Sequence, residues 1–407
     1  MKILMICINY WPEVVGIGAF ATYRAEYLAE VGHDVCVCTT YPYYPEWKVP
    51  SQYRWKLAST DIVNKVKIRR SKSYVPSKVN TISRILHEIS FIASSFVSAL
   101  RCGKTDVILV LSPPLGLAMS AIVLAKLFNA PFVFDVQDVQ PDSAGDLGML
   151  PRWIVKFLYK IEILAYTRAT LVTTITCGMR QKIASKGVPL DKIKLIEPIM
   201  NNRLASDDVI NMYRFKNKYN LKHKYIVIYS GNMGIKQGLD VIVDAAEISR
   251  ENKSIVYVLI GDGADRARIE NRISCMGLDN IRLLPILNEE DYRGALAASA
   301  VCLLTQKKGV SEIAFPSKLV TYLSAGCAVA AAVDEECEVA RVIKDSMAGA
   351  VSPPEEAELL YKSILNIIKF DRDDFKIRSR AYANGRWNSH RIMQNFEGTL
   401  QEVAGKR

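Results

Sequence analysis

A loop with three glycines and one lysine follows a β-branched apolar run in the second half of this chain. The glycines are Gly231, Gly234 and Gly238, and Lys236 lies between the last two. A helical pattern of apolar residues comes next. A strand, a glycine loop and a helix in this order aim free backbone N–H groups and a helix N-terminus at an anion. The segment therefore predicts a phosphate-binding loop, with an ordinary glycine-rich turn as the alternative.

A second segment with the same chemistry begins at Pro316. Proline suits the first turn of a helix, so Ser317 and Lys318 fall where N–H groups are free and the helix dipole is positive. This predicts another anion contact, and a capped helix with a surface lysine is the alternative. Because parallel strands end at one edge of a sheet, Lys236 and Lys318 can serve a single anion.

Acidic side chains close a buried strand of the first half, in the run from Asp135 to Asp138. Ligands of open α/β sheets bind at the carboxyl ends of the strands. Asp138 is therefore the candidate catalytic group, and a cap for the next turn is its alternative role.

Gly16 and Gly18 follow the first strand and resemble a dinucleotide fingerprint. We reject that use because the glycines come several residues after the strand. The second strand also ends in Thr39 and Thr40 instead of a carboxylate that would bind a ribose. Two interpretations remain, a loop that brings backbone close to a ligand and the N-cap loop of a helix.

Strands and helices alternate through both halves of the chain. Strands are predicted at 2–8, 34–41, 62–75, 106–112, 131–138, 171–176, 192–197, 225–230, 255–260, 280–284, 301–305 and 328–333. Such alternation predicts parallel sheets covered by helices on both faces. The predicted fold class is α/β, with Rossmann-like domains at 1–200 and 201–385 whose strand ends face an interdomain cleft.

Basic charge is concentrated in the first half. Residues 1–200 carry 24 Lys and Arg against 15 Asp and Glu, within a whole-chain net charge of +11. One helix there combines Arg152, Lys156 and Lys160 with Trp153 and further apolar residues. This composition predicts contact with an anionic membrane surface, and a core-packed helix with a solvated edge is the alternative. No nucleic-acid recognition module is visible, so nucleic acid is not an expected partner.

The remaining composition indicates an intracellular protein. Nine cysteines include no Cys-x-x-Cys pair, which favours reduced thiols in the cytosol. Cys36 and Cys38 share one face of a predicted strand and are expected in the core. The dispersed histidines predict no metal site. Neither a signal peptide nor an apolar run of about 18 residues is present, so no spanning helix is expected.

The order of the motifs resembles the GT-B glycosyltransferases of glycosyltransferase family 4 over nearly the whole chain. The matching segments are Gly16–Gly18, the Asp138 segment, Ser230–Gly234, Ile260–Gly263 and Pro316–Gly326. The chain is most similar to the bacterial surface-polysaccharide group, including the L-fucosamine transferases of O-antigen synthesis. The resemblance implies a final helix at 386–407 that packs back on the N-terminal domain. It also implies that lysines and N–H groups neutralise the donor diphosphate, without a metal or a cofactor.

The resemblance also assigns residues to each substrate. The implied donor-binding residues are Gly16, Gly18, Asn232, Met233, Lys236, Ile286, Pro316, Ser317, Lys318 and Thr321. Ile286 would meet the base through its backbone. The residues implied for the acceptor or the membrane are Glu13, Arg152, Trp153, Lys156 and Lys160.

Some positions depart from the family pattern. Many relatives carry two glutamates, which fall here at Ile313, beside Glu312, and at Thr321. The hydroxyl of Thr321 can still hydrogen-bond a ribose, although more weakly than a carboxylate. The usual arginine is Asn232, and the usual lysine position is Gln237, one place after Lys236.

The resulting hypothesis is a peripheral transferase on the cytoplasmic face of the inner membrane. It would move a deoxy amino sugar, N-acetyl-L-fucosamine, from UDP to a sugar on a polyprenyl diphosphate. A UDP-sugar 2-epimerase of the same fold and a non-catalytic nucleotide-sugar-binding partner are the alternatives.

Overall fold

The computed structural model describes residues 1–13, 16–139, 151–200, 208–221, 225–310 and 315–405. The chain forms two compact units. Unit 1 comprises Met1–Glu197 and His390–Arg407, and unit 2 comprises Pro198–Ser389. Each unit is built on a sheet dominated by parallel strands. The predicted class, two Rossmann-like α/β domains, is confirmed.

The sheet of unit 1 has the strand order β3-β4-β2-β1-β5-β6-β7-β8. Its strands are β1 Lys2–Ile6, β2 Asp34–Thr40, β3 Ala58–Val63, β4 Val66–Ser71, β5 Val107–Ser112, β6 Phe132–Val136, β7 Leu171–Thr174 and β8 Ile193–Leu195. All pairings are parallel except that of β3 with β4. Every residue of β5 is buried, as expected for a central strand with helices on both faces.

The basic segment predicted as one strand at 62–75 is instead a hairpin of β3 and β4. The turn residues Asn64 and Lys65 have φ angles of 48° and 65°. A two-residue turn with positive φ at both positions matches the twist of the flanking strands. Asn64 was the local signal for this turn.

Helices cover both faces of the unit 1 sheet. They are α1 Ile17–Glu30, α2 Thr81–Leu100, α3 Leu117–Phe128, α4 Arg152–Arg168, α5 Cys177–Ser185 and the chain's last helix, Ser389–Ala404. Asn80 caps α2, since its side chain accepts the N–H of Ser83 while the Ser83 hydroxyl accepts the N–H of Asn80. This reciprocal capping satisfies two backbone donors that a helix start leaves unpaired.

The last helix belongs to unit 1 although it is far from it in sequence. Phe396 lies under the guanidinium of Arg24, with 4.4 Å between the Cζ atom and the ring centroid. Glu397 pairs with His33 at 3.0 Å. These contacts fasten the end of the chain to α1 and to the turn that follows it.

The sheet of unit 2 is entirely parallel among the described strands, in the order β11-β10-β9-β12-β13-β14. Its strands are β9 Tyr225–Ser230, β10 Ile255–Ile260, β11 Ile281–Leu284, β12 Ser299–Thr305, β13 Val329–Ala332 and β14 Gly349–Ser352. The chain runs outward from β9 to β11 and then returns to the other side of β9 with β12. The strand order therefore reverses between β9 and β12, where open α/β sheets bind their ligands.

The helices of unit 2 include two that were not predicted from the sequence. They are α6 Val209–Lys218, α7 Asp240–Ile248, α8 Arg266–Cys275, α9 Glu289–Ala298, α10 Ser317–Ala325, α11 Glu338–Ser346, α12 Ala357–Ile368 and α13 Arg372–Arg386; the last helix of the chain is α14. The polar segment between the first strand of unit 2 and the end of unit 1 contains α6, which packs on α9. The helix α11 and the strand β14 were also not predicted. In the described ranges, no helix combines the length and the apolar character needed to cross a membrane.

Candidate functional site

The glycine loop of unit 2 follows β9 and therefore lies at the point where the strand order reverses. Gly231 donates its N–H to the carbonyl of Ile260 at 2.9 Å, and Met233 donates to Asp262 at 2.8 Å. These bonds tie the loop after β9 to the loop after β10. A rigid loop is required if backbone groups are to hold an anion in fixed geometry.

The glycines after β10 permit this close backbone contact. A Cβ atom at Gly261 would lie 2.0 Å from the carbonyl oxygen of Gly231, and one at Gly263 would lie 2.5 Å from that of Met233. Their φ angles, 145° and 154°, are also unfavourable for other residues. The motif Ile260–Gly263 therefore supports the loop after β9.

Lys318 supplies a buried cation beside this loop. Its Nζ atom lies 3.9 Å from the ring centroid of Tyr229, within cation–π distance. The same atom is buried and has no hydrogen-bond partner among the described residues. Burial lowers the pKa of Lys318 from 10.5 to about 7. The site thus holds an amine whose charge lacks a counter-anion within the described protein.

Hydroxyl groups fix the start of α10 against the end of β9. The N–H of Ser230 donates to the hydroxyl of Tyr322 at 2.8 Å, and the Ser230 hydroxyl lies 2.9 Å from the hydroxyl of Tyr292. Tyr322 is one turn beyond Lys318 on α10, so this network also positions the lysine. Gly231 contacts this lysine, and its φ angle of 131° is the feature that favours glycine at this position.

Lys236 lies in a short 3-10 turn of the glycine loop and is half-buried. Its carbonyl accepts the N–H of Lys307 at 2.9 Å, and the Thr305 hydroxyl donates to the carbonyl of Gln237 at 2.7 Å. The loops after β9 and β12 are therefore joined to each other. Lys236 and Lys318 are carried by the two elements that flank the reversal point.

The other residues predicted to bind the donor differ in the solvent exposure of their side chains. Asn232 is exposed, whereas Met233 places its side chain in the core and holds the loop through its N–H. Ser317 is the first residue of α10 and is exposed, with Pro316 as an extended N-cap rather than a first-turn residue. The hydroxyl of Thr321 points along the helix to the carbonyl of Ser317 at 3.4 Å.

Two further positions were singled out near this site. Ile286 follows β11, and its side chain is 51% exposed. Glu312 and Ile313, the residues at the family's first glutamate, lie outside the described residues.

Unit 1 places Glu13 beside the first glycine loop. Its carboxylate accepts the N–H groups of Tyr43 at 2.8 Å and Tyr44 at 2.9 Å, and the amide of Asn9 at 2.8 Å. Burial raises the pKa of Glu13, while these hydrogen bonds act in the opposite direction. Glu13 therefore organises the aromatic loop that follows β2.

Each of the two glycines in that loop is required for a different local reason. Gly16 is the N-cap of α1 and has a φ angle of 61°, which favours glycine. A Cβ at Gly18 would lie 3.2 Å from the carbonyl oxygen of Glu13. The backbone conformation at the N-cap of α1 is therefore sufficient to explain a glycine at position 16.

A buried ion pair lies beneath the Asp138 segment, and sequence reasoning missed it. Asp135 on β6 pairs with Arg24 of α1 at 2.8 Å, with both side chains inaccessible to solvent. It also accepts the Thr173 hydroxyl at 2.6 Å and the Gln137 amide. Asp138 is half-buried in the bend after β6. The ion pair therefore braces the strand end that presents Asp138.

The exposed face of α4 carries the membrane candidates. Arg152, Lys156 and Lys160 are exposed, Trp153 is 71% exposed, and Phe157 is 58% exposed. The buried residues of this helix are instead Glu162, Ala165 and Tyr166. The two large aromatic rings are thus surface residues, contrary to the core-packed alternative.

Comparisons with known proteins agree with this architecture. Residues 15–198 match the glycosyl transferase 4-like domain, and residues 212–386 match glycosyl transferases group 1. The chain is 30% identical to the colanic acid biosynthesis glycosyl transferase WcaI of Escherichia coli K12, over 97% of this chain and 98% of that protein. The chain belongs to the group 1 glycosyltransferases.

Solved structures show the GT-B fold for this glycosyltransferase. HepE of Anabaena, solved with UDP, superposes with a TM-score of 0.73 at 14% identity and covers 99% of this chain and 100% of its own. Sucrose-phosphate synthase of Thermosynechococcus elongatus superposes with a TM-score of 0.79 at 16% identity, covering 100% of this chain and 99% of its own. The family resemblance inferred from the motifs is therefore confirmed, while its sugar specificity remains a prediction.

Proposed function

We propose that unit 2 binds a UDP-sugar with its diphosphate between the glycine loop and the start of α10. The observation that carries the proposal is Lys318, whose buried Nζ atom has no hydrogen-bond partner among the described residues. A diphosphate oxygen would supply the missing partner and favour the charged amine. UDP as the nucleotide is supported by HepE, which was solved with UDP.

Catalysis on this proposal relies on neutralising the leaving diphosphate. Negative charge grows on the diphosphate as its bond to the sugar breaks, so cations and N–H groups fixed in advance stabilise the transition state. Lys236, Lys318 and the free N–H groups at Ser317 supply this function without a metal. Asn232 contributes at the exposed side of the loop, Ile286 meets the base, and Thr321 meets the ribose.

Unit 1 would bind the acceptor, a sugar on a polyprenyl diphosphate. Asp138 acts as the polar group that orients or deprotonates the acceptor, braced by the ion pair of Arg24 and Asp135. Glu13 shapes the same unit through the loop at Tyr43. The domain assignment, 1–200 for the acceptor and 201–385 for the donor, with 386–407 returning to the first, follows this division.

The lipid-linked acceptor requires contact with a membrane surface. Exposed Trp153 and Phe157 would enter the headgroup region while Arg152, Lys156 and Lys160 meet anionic lipid. We infer peripheral binding at the cytoplasmic face of the inner membrane. The product would belong to an O-antigen or related surface polysaccharide, which the name of WcaI supports. The sugar, N-acetyl-L-fucosamine, rests on the family resemblance alone.

Incubation with UDP-sugars and a lipid-linked N-acetylglucosamine tests this function. Formation of a larger glycolipid, with UDP released, is expected, and EDTA should leave the rate unchanged. An altered UDP-sugar in the absence of acceptor would point instead to an epimerase. Binding of UDP-sugar without either product, across a donor panel, would contradict transfer.

A further inference from the structure

Three thiols from separate parts of unit 1 meet at one place. Cys36 and Cys38 project from the same face of β2, and Cys102 lies in the turn after α2. The Sγ atom of Cys102 is 2.8 Å from that of Cys36 and 3.7 Å from that of Cys38. All three sulfur atoms lie within 4.8 Å of one another. A zinc–sulfur bond is about 2.3 Å long, so sulfurs that share one such ion lie roughly 4 Å apart. The distance from Cys38 to Cys102 is close to this value, whereas the 2.8 Å between Cys36 and Cys102 would have to lengthen by roughly 1 Å on binding.

Cationic residues on the neighbouring strand β4 lie opposite two of these thiols. In the parallel register of β2 and β4, Cys36 lies opposite Lys67 and Cys38 lies opposite Arg69. The Nε atom of Arg69 is buried without a hydrogen-bond partner in the described part of the chain. Nearby positive charge is the usual cause of reactive, metal-ready cysteines.

We propose that Cys36, Cys38 and Cys102 bind one Cu(I) ion in a three-coordinate thiolate site. Soft thiolates suit Cu(I), zinc and iron–sulfur clusters, and iron–sulfur clusters are usually held by four cysteines. Zinc would require a fourth ligand in a structural site, and no His, Asp or Glu of the described ranges joins the three sulfurs. One Cu(I) with three thiolates carries two negative charges, which Lys67 and Arg69 offset. Binding releases the thiol protons to solvent.

The burial of the three cysteines indicates how an ion would reach the site. Cys36 and Cys38 are buried, whereas Cys102 is half-buried and offers the entry route. A bound ion would add a covalent link between β2 and the turn after α2. The site lies in unit 1, apart from the diphosphate residues of unit 2, so metal binding and sugar transfer can be measured independently.

The full chain, reduced with a phosphine and kept under nitrogen, is titrated with Cu(I) against the chromophoric chelator bicinchoninate. One Cu(I) per chain should be withdrawn, and X-ray absorption should give a copper shell of sulfur only. Cys102→Ser and Cys36→Ser should each weaken binding by at least about 10²-fold, since even outer-shell changes cost up to that factor. Cys275→Ser, at an exposed free cysteine, is the matched control and should bind like the parent.

Alkylation of the parent protein gives a readout that does not depend on folded variants. Bound Cu(I) should protect the peptides that contain Cys36, Cys38 and Cys102, and mass mapping identifies them. The proposal is overturned if other cysteines are protected, or if Cys102→Ser retains parental affinity. It is also overturned if the reduced protein takes no copper and only forms a Cys36–Cys102 disulfide in air.

Discussion

The two units handle buried charge at their strand ends in opposite ways. In unit 1, the carboxylate of Asp135 is compensated by Arg24 and by hydroxyl and amide donors. In unit 2, the amine of Lys318 is buried over an aromatic ring, with no hydrogen-bond partner in the described ranges. A buried charge that keeps its partner is tolerated by the fold, whereas an uncompensated one lowers stability until a ligand arrives. The difference identifies unit 2 as the unit prepared for an anion.

The largest expected effect comes from breaking the compensated pair. Arg24→Met leaves Asp135 buried without its cation and should destabilise unit 1 by about 3–5 kcal/mol. Urea unfolding followed by tryptophan fluorescence measures this, because four of the five tryptophans lie in unit 1. Lys194→Met, at an exposed ion pair with Glu402 in the same unit, is the control and should cost less than about 1 kcal/mol. Equal losses in both variants would contradict the comparison.

Removal of the uncompensated charge should separate function from stability. Lys318→Met should lower turnover by roughly 10²–10³-fold, about the loss seen for one fixed transition-state donor. Calorimetry should show weaker UDP binding, while the urea midpoint of the unliganded variant rises. Lys236→Met should weaken turnover in the same direction, and the exposed Lys253→Met is the control. Parental UDP affinity in both loop variants would exclude these lysines from the diphosphate site.

Asp138→Asn tests whether the braced strand end of unit 1 does chemistry. Loss of an acid–base group should lower turnover by about 10²-fold, and UDP binding should stay unchanged because the donor is held by the other unit. Steady-state rates and calorimetry measure the two effects separately. The exposed Asp191→Asn should leave both unchanged. Near-parental turnover would reduce Asp138 to a turn cap.

Titration of Lys318 should affect two quantities in opposite directions as pH rises: the stability of the unliganded fold should increase and the affinity for UDP-sugar should decrease. Its pKa is lowered from 10.5 to about 7, so the unliganded fold becomes more stable as pH rises from about 7 towards 10.5, where the unfolded chain holds the extra proton. A diphosphate binds the charged amine, so UDP-sugar affinity should fall roughly tenfold between about pH 6 and pH 8. Calorimetry in buffers of different ionisation enthalpy detects the proton uptake. Lys318→Met should lack both slopes, and parental slopes in that variant would assign the titration to another group.

The smallest expected effect concerns the surface of unit 1. Lys156→Gln removes one exposed charge beside Phe157, and a basic residue near an anionic surface contributes about 1 kcal/mol. Binding to vesicles that contain phosphatidylglycerol should therefore weaken roughly fivefold. Co-sedimentation measures it, with Lys344→Gln on unit 2 as the matched change. Identical sedimentation of parent and Lys156→Gln would argue against α4 as the membrane contact.

Much of the fold follows from local sequence signals. Unbroken apolar runs such as Val107–Ser112 predicted buried parallel strands, and the glycine loop at Gly231 and the proline at Pro316 predicted the ends of β9 and the start of α10. The single strand predicted at 62–75 was wrong, because the alternation of charged residues hid the turn signal at Asn64. Helix α6 was missed since its polar residues dominate its composition, although its buried side chains pack on α9.

Only those features of the site that depend on the spacing of neighbouring residues could be predicted from the sequence. Lys318 was placed correctly at a helix start, but its burial over Tyr229 depends on tertiary packing that no spacing rule contains. The same limit applies to Arg24 and Asp135, which are 111 residues apart in the chain. Cys36 and Cys38 were correctly expected in the core, whereas the approach of Cys102 required the fold.

The return of α14 to unit 1 has a consequence for synthesis on the ribosome. The ring of Phe396 covers the guanidinium of Arg24, but that ring is translated after all of unit 2. Domains normally fold in order as they emerge from the ribosome. Here the first unit to emerge stays incomplete, with its buried ion pair uncovered on one side, until Phe396 has been translated. A nascent chain stalled before residue 389 should therefore expose unit 1 to proteases that the finished protein resists.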